Sequence, residues 1–192
     1  KIASENEGHA PGMTAIVGLS PEKVKEIVDG IENAYAANMN SDKQTVVSGT
    51  FDALTKVEAA ATEAGARRAI RLSVAGPFHS PLMQEAADEF EKTLSAFSFS
   101  DPKIPLFSNV TGKQVASGDE AKKSAVLHLT NPVLWTSEEA VLGELMKDDS
   151  ENEWKVIEVG PGRVLGGLWK ATEYFEKWAC SSVNTVETIN SL

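Results

Sequence analysis

The chain has 192 residues, 42% of them hydrophobic and 24% charged, and a net charge of −10. Such a length and balance suit one ordinary soluble domain or two small ones with a real core. No apolar run approaches the ~20 residues of a membrane helix, and the acidic excess argues against a nucleic-acid surface, which needs a basic footprint.

The opening residues KIASENEGH carry neither an initiator methionine nor a signal-peptide core, so the chain is expected to begin inside a longer polypeptide or to have been trimmed. MTAIVGL then reads as a short strand. In SPEKVKEIVDGI, Ser20 is the N-cap, Pro21 the first helical residue, and Val24, Ile27, Val28 and Ile31 fall on one face. AANMN and QTVVSG read as two strands joined by the turn Asn40-Ser41-Asp42. Phe51, Leu54, Val57 and Ala64 mark a second helix that stops at Gly65, and AIRLSV is a fourth strand. The order β-α-β-β-α-β over residues 13–74 is that of a ferredoxin-like unit.

After Val74 the pattern changes. Ser80 and Pro81 are placed to open a helix whose buried stripe is Met83, Ala86, Ala87, Phe90, Leu94 and Phe97. DPKIPLFSNVTG is expected to hold a short strand between prolines, ending in a turn. A helix is expected around residues 138–146. WKVIEVGPGRVLGGLWK reads as strand, glycine turn and helix, with close packing at Gly166 and Gly167. The spacing suggests α/β packing, with too few strands for a complete doubly wound sheet.

Cys180 is the only cysteine, which excludes an internal disulfide and suits a reducing compartment. Three histidines, His9, His79 and His128, are too widely spaced for a metal-ligand motif. His79, in VAGPFHSPLM, stands where an apolar run ends and a helix is expected to begin. A helix start at Ser80 would favour the neutral ring that a general base needs, although an isolated histidine at such a junction also fits a structural role. A base needs a nucleophile, and none is evident. No GxSxG elbow occurs; Ser48 and Ser108 lack a glycine two residues before, and Cys180 has no companion to activate it. GPGRVLGG does not meet the GxGxxG pattern, since Leu165 stands where glycine is required and Pro161 lacks an N–H. Asn38, Asn40 and Gln44 crowd one strand-turn-strand segment, which turn chemistry alone could explain.

Six stretches taken in order, GMTAIVGL, AANMNSDKQTVVSG, GARRAIRLSVAGPFHSPLM, PLFSNVTG, HLTNPVLW and VIEVGPGRVLGGL, resemble the malonyl-CoA:acyl carrier protein transacylase family over the chain from about His9 onward. The resemblance implies an α/β fold made of a ferredoxin-like βαββαβ subdomain and the C-terminal portion of an α/β-hydrolase-like acyltransferase subdomain. Residues 1–9 would be a linker, 10–75 the small subdomain, and 76–192 the large-subdomain portion. The family's GHSxG serine segment, oxyanion glutamine loop and carboxylate-binding arginine are absent here.

By this resemblance His79 is the general base of a ping-pong Ser-His transfer of malonyl from malonyl-CoA to the phosphopantetheine thiol of acyl carrier protein in fatty acid biosynthesis. No bound cofactor is implied. The main-chain carbonyl of His128, at a position often held by glutamine, would orient the His79 ring. Phe78 would disfavour a 2-methyl branch, with simple packing as the alternative. Asn38, Asn40 and Gln44 would line the acyl-pantetheine cleft. Arg68, beside Arg67, would meet CoA phosphates or the acidic carrier protein, a solvated arginine face being the alternative. Acyl carrier protein, malonyl-CoA and the missing N-terminal part are the expected partners, with no nucleic acid and no membrane. The expected location is the cytoplasm or an organelle stroma or matrix, and the chain alone is expected to be inactive. The competing readings are a polyketide-pathway acyltransferase and a non-catalytic fragment that binds carrier protein and leaves an apolar face uncovered.

Overall fold

The computed structural model describes residues 10–149 and 151–185; the expected 1–9 linker, with His9, lies outside the described residues. The expected β-α-β-β-α-β order is present as β1 (Gly12–Val17), α1 (Pro21–Asp29), β2 (Ala34–Ser41), β3 (Gln44–Gly49), α2 (Phe51–Glu63) and β4 (Arg68–Arg71). The four strands form one antiparallel sheet in the order β2-β3-β1-β4. Ser20 caps α1 by accepting from the Lys23 N–H, and Thr50 caps α2 by accepting from the Ala53 N–H. Past α2, Gly65 takes a φ of 91°, a left-handed conformation that stops the helix and that glycine adopts freely. The hairpin turn is Asp42-Lys43, slightly later than expected, because β2 runs through Ser41.

Strand alternation sorts the sheet's side chains onto two faces. Ile16 and Val47 pack with Val24, Val28, Leu54, Val57 and Ala61 beneath α1 and α2. Ile16, Val47, Leu54 and Val57 are each 0% exposed, a contribution of roughly 1.5–3 kcal/mol apiece. Met13, Ala15, Ala37 and Val46 form a second cluster on the face turned away from the helices.

Beyond β4 the helix expected from Ser80 starts later: Pro81–Met83 form a single 3₁₀ turn and α3 spans Gln84–Ser95. Ser80 caps nothing, because its hydroxyl donates to the Pro77 carbonyl at 2.6 Å. Met83, Ala87 and Leu94 of the expected stripe are buried, whereas Phe97 lies past the helix end and is 57% exposed. β5 (Phe107–Ser108) and β6 (Lys113–Gln114) form a short hairpin, its first strand following Pro105 instead of lying between the prolines.

α4 (Gly118–Leu127) has no counterpart in the sequence reading. Ser117 accepts from the Glu120 N–H while the Glu120 carboxylate accepts from the Ala116 N–H, a near capping box. α5 (Trp135–Asp148) encloses the helix expected at 138–146. Between α4 and α5 the chain adds to the free edge of β2 in parallel: the Val133 N–H donates to Ala37 at 2.8 Å, and the Met39 N–H donates to Val133 at 2.9 Å.

The chain divides within α5 into two compact units, residues 1–138 and 139–192. The expected limit between residues 75 and 76 falls inside the first. In the second unit β7 (Val156–Val159) and β8 (Cys180–Val183) pair in parallel, with α6 (Val164–Trp169) between them in sequence. Gly160 and Gly162 have φ of 137° and 103°, so GPG is the tight turn expected there. A Cβ on Gly166 would stand 3.1 Å from the Glu158 carboxylate, but Gly167 faces open space and takes no part in the expected close packing. Glu158 accepts from the Gly166 and Leu165 N–H groups at 2.9 and 3.0 Å, which holds its carboxyl below the usual range. That helix start is therefore occupied by the protein's own carboxylate. Met146, Trp169 and Tyr174 form this unit's core. Ile104 (77%), Val159 (78%) and Val164 (70%) are large apolar side chains left exposed.

Candidate active site

His79 sits on the loop between β4 and α3 with a φ of 58°, a left-handed conformation uncommon for a residue with a side chain. The flanking carbonyls are tied down. Ser48, 0% exposed on β3, donates to the Phe78 carbonyl, and Ser80 donates to that of Pro77. The ring itself is held by α4: His79 Nδ1 lies 2.7 Å from the His128 carbonyl oxygen. His128 is the C-cap of α4, where carbonyls lack intrahelical donors, so the helix end offers a free acceptor to the imidazole.

A carbonyl can only accept, so Nδ1 carries the proton and Nε2 is left as the basic nitrogen. The ring thus meets the C-terminal end of α4. This differs from the expected environment. The sequence placed a helix N-terminus beside His79, but α3 begins only at Gln84 and the helix end in contact is the C-terminus of α4.

The His128 side chain also enters the site. Its ring centroid is 4.7 Å from that of His79, and its Nε2 lies 3.3 Å from Asn109 Nδ2. Burial, and secondarily the neighbouring His79 charge, lowers the His128 pKa below the ordinary 6.5. A neutral ring suits the Asn109 contact, since Nε2 can then accept from the amide.

A β-bulge organises the other polar residues. Ala36 pairs with Val47, yet Asn38 pairs with Val46, so the extra residue Ala37 turns Asn38 onto the face opposite α1 and α2. Met13↔Ser48, Ala15↔Val46 and Val17↔Gln44 place Ser48 and Gln44 on that same face. Arg68 pairs with Val17 from the other side, so it shares this face at the edge strand β4, where it is exposed. Asn40 falls at a second irregularity of β2, between Met39 and Ser41. Asn38, Asn40 and Gln44 are half-buried. Phe78 is 37% exposed.

A cavity of about 360 Å³ has His79 in its wall together with Tyr35, Ala36, Met39, Asn131 and Pro132. Asn38, Asn40, Gln44 and Arg68 are not among its lining residues. Among the described residues no serine hydroxyl is hydrogen-bonded to His79: Ser48 and Ser80 donate to carbonyls, and Ser108 accepts from the Val110 N–H. Burial raises the Cys180 pKa, so that thiol is not activated. The sequence reading missed Asn109 and α4. The Ser117-x-x-Glu120 pattern could have signalled the helix, but nothing in the sequence signalled the bulge or the backbone of His79.

Comparison with known proteins places this geometry. Residues 4–161 match the acyl transferase domain family. The chain is 34% identical over 180 residues to the malonyl CoA-acyl carrier protein transacylase of Bacillus subtilis, spanning 91% of this chain and 55% of that protein. It superposes on an acyl carrier protein S-malonyltransferase from Vibrio cholerae with a TM-score of 0.81 and 34% identity, over 94% of this chain and 57% of that one. A malonyl-transacylase solved in complex with a type II polyketide acyl-carrier protein gives a TM-score of 0.78 and 30% identity, over 94% and 57%. The chain thus spans little more than half the length of these relatives, and by its match over residues 4–161 it belongs to the acyl transferase domain family.

Proposed function

We propose that this chain supplies the histidine half of a malonyl transferase site, moving malonyl from malonyl-CoA to the pantetheine thiol of acyl carrier protein. The observation that carries the reading is the 2.7 Å contact of His79 Nδ1 with the His128 carbonyl, in the wall of a cavity. It leaves Nε2 to take the proton of a serine hydroxyl as that oxygen attacks the thioester carbonyl. The imidazolium then returns the proton to the departing CoA sulfur. In the second half-reaction Nε2 takes the proton of the pantetheine thiol, whose sulfur displaces the serine oxygen, and the proton goes back to serine.

On this reading the serine is supplied by the part of the family that this chain, spanning 55% of the Bacillus subtilis relative, does not cover. The exposed Ile104, Val159 and Val164 support completion by further polypeptide. On this reading residues 10–75 are a ferredoxin-like small subdomain and residues 76–192 part of a larger α/β-hydrolase-like one. Asn38, Asn40 and Gln44 face the acyl-pantetheine arm, and Arg68 meets CoA phosphate or acidic carrier protein at the rim. Phe78 restricts space beside the acyl C2. A polyketide carrier protein is the second reading, favoured by the likeness to the transacylase solved with such a carrier.

The test is a hybrid in which the N-terminal half of the Bacillus subtilis transacylase precedes this chain. Radiolabelled malonyl should pass from CoA to a fatty-acid acyl carrier protein, and to a polyketide one if the second reading holds. A folded hybrid that loads its serine but labels neither carrier would contradict the proposal.

A further inference from the structure

We infer that Ser48 is a positioning residue for His79, acting through the Phe78 carbonyl; the inference rests on the proposed role of His79. Ser48 lies on the sheet face that holds Met13, Ala15 and Val46, and it is 0% exposed. Its hydroxyl donates to the carbonyl of Phe78, an oxygen of the peptide that leads into His79. β3 is an interior strand, hydrogen-bonded on both sides by β1 and β2, so Ser48 ties the loop to one of the most constrained parts of the fold.

The peptide it holds is the one that needs holding. His79 has a φ of 58°, a conformation that persists in a residue with a Cβ only when its surroundings over-determine it. Three contacts do so: Ser48 on the Phe78 carbonyl, Ser80 on the Pro77 carbonyl at 2.6 Å, and His79 Nδ1 on the His128 carbonyl at 2.7 Å. The first two fix the backbone, and the third orients the ring. Without the Ser48 donor the Phe78–His79 peptide can rotate toward ordinary dihedrals, and the ring leaves the end of α4. A displacement of about 1 Å in a general base costs on the order of 10²-fold in rate.

The readout independent of turnover is the His79 Nδ1 proton, observed by ¹⁵N-labelled NMR of the 192-residue chain. Ser48→Ala should speed exchange of that proton with solvent by about 2- to 10-fold, the effect of losing one net hydrogen bond, while the β1 and β3 amides keep their protection. Ser48→Thr and Ser48→Val provide a pair of matched shape should Ser48→Ala fold poorly. Thr should keep the slow proton and Val should lose it. Unchanged exchange in Ser48→Ala, or equal behaviour of Thr and Val, overturns the inference.

In the hybrid enzyme Ser48→Ala should lower kcat by about 10- to 100-fold with KM unchanged. Wild-type kcat there would refute the positioning role while leaving the proposed function intact, because that function is tested by label transfer to the carrier and by His79→Ala, neither of which involves Ser48.

Discussion

Glu138 is a carboxyl in the first turn of α5, 4% exposed, and replacing it with glutamine should stabilise the protein at neutral pH and above. Burial pushes its pKa from 4.5 up to about 7. The folded state therefore binds the proton more tightly than the unfolded chain does. The stability this contributes is complete below pH 4.5 and is lost as pH rises through about 7. At 1.36 kcal/mol per tenfold change in proton affinity, the move from 4.5 to about 7 amounts to roughly 3 kcal/mol. Partial solvation of the carboxylate brings the expected figure down to about 1–3 kcal/mol.

Glutamine keeps the shape and stays neutral at every pH. Urea unfolding followed by fluorescence of the four tryptophans should show Glu138→Gln close to wild type near pH 4. Its advantage should grow to about 1–3 kcal/mol by pH 8. Every other titrating group is common to both proteins and cancels in the difference. A difference that does not vary with pH would refute the burial argument.

Three further outcomes follow from particular contacts. His128→Gln keeps the main-chain carbonyl, so malonyl transfer by the hybrid should persist within about 10-fold. Because burial and the His79 charge lower the His128 pKa below 6.5, that residue's contribution to stability is present above pH 6.5 and lost as pH falls through the folded pKa. The variant should accordingly lose some of the acid sensitivity seen below pH 6.5 in urea titrations. Gly49→Ala would put a Cβ 2.6 Å from the Asn33 carbonyl oxygen, and a backbone atom cannot swing aside; a loss of about 1–3 kcal/mol in unfolding free energy is expected. Phe78→Ser should raise methylmalonyl-CoA relative to malonyl-CoA in competition assays, by up to about 1–3 kcal/mol of discrimination.

The sheet and its two helices were legible because their signals are local. Ser20 and Pro21 announce α1, the run Val24, Val28 and Leu54, Val57 gives each helix its buried side, and Gly65 ends α2. GPG was equally legible, since both its glycines take positive φ. The start of α3 was misread because Ser80 has a competing acceptor in the Pro77 carbonyl, a contact invisible without the fold. α4 went unread because its hydrophobic stripe is weak: of its residues only Gly118 is buried. Within the site, His79 and the His128 carbonyl were reached through family resemblance. The bulge at Ala37, the left-handed backbone of His79 and the Ser48 hydrogen bond are products of long-range pairing, with no local pattern to betray them.

The central claim is that Nε2 of His79 moves the proton of an attacking serine. The most direct measurement is single-turnover loading of malonyl onto that serine in the hybrid, at saturating malonyl-CoA, with and without His79→Ala. The account predicts a fall of about 10²–10⁴-fold with the fold intact by circular dichroism. Loading at the unmodified rate in the His79→Ala hybrid would contradict it.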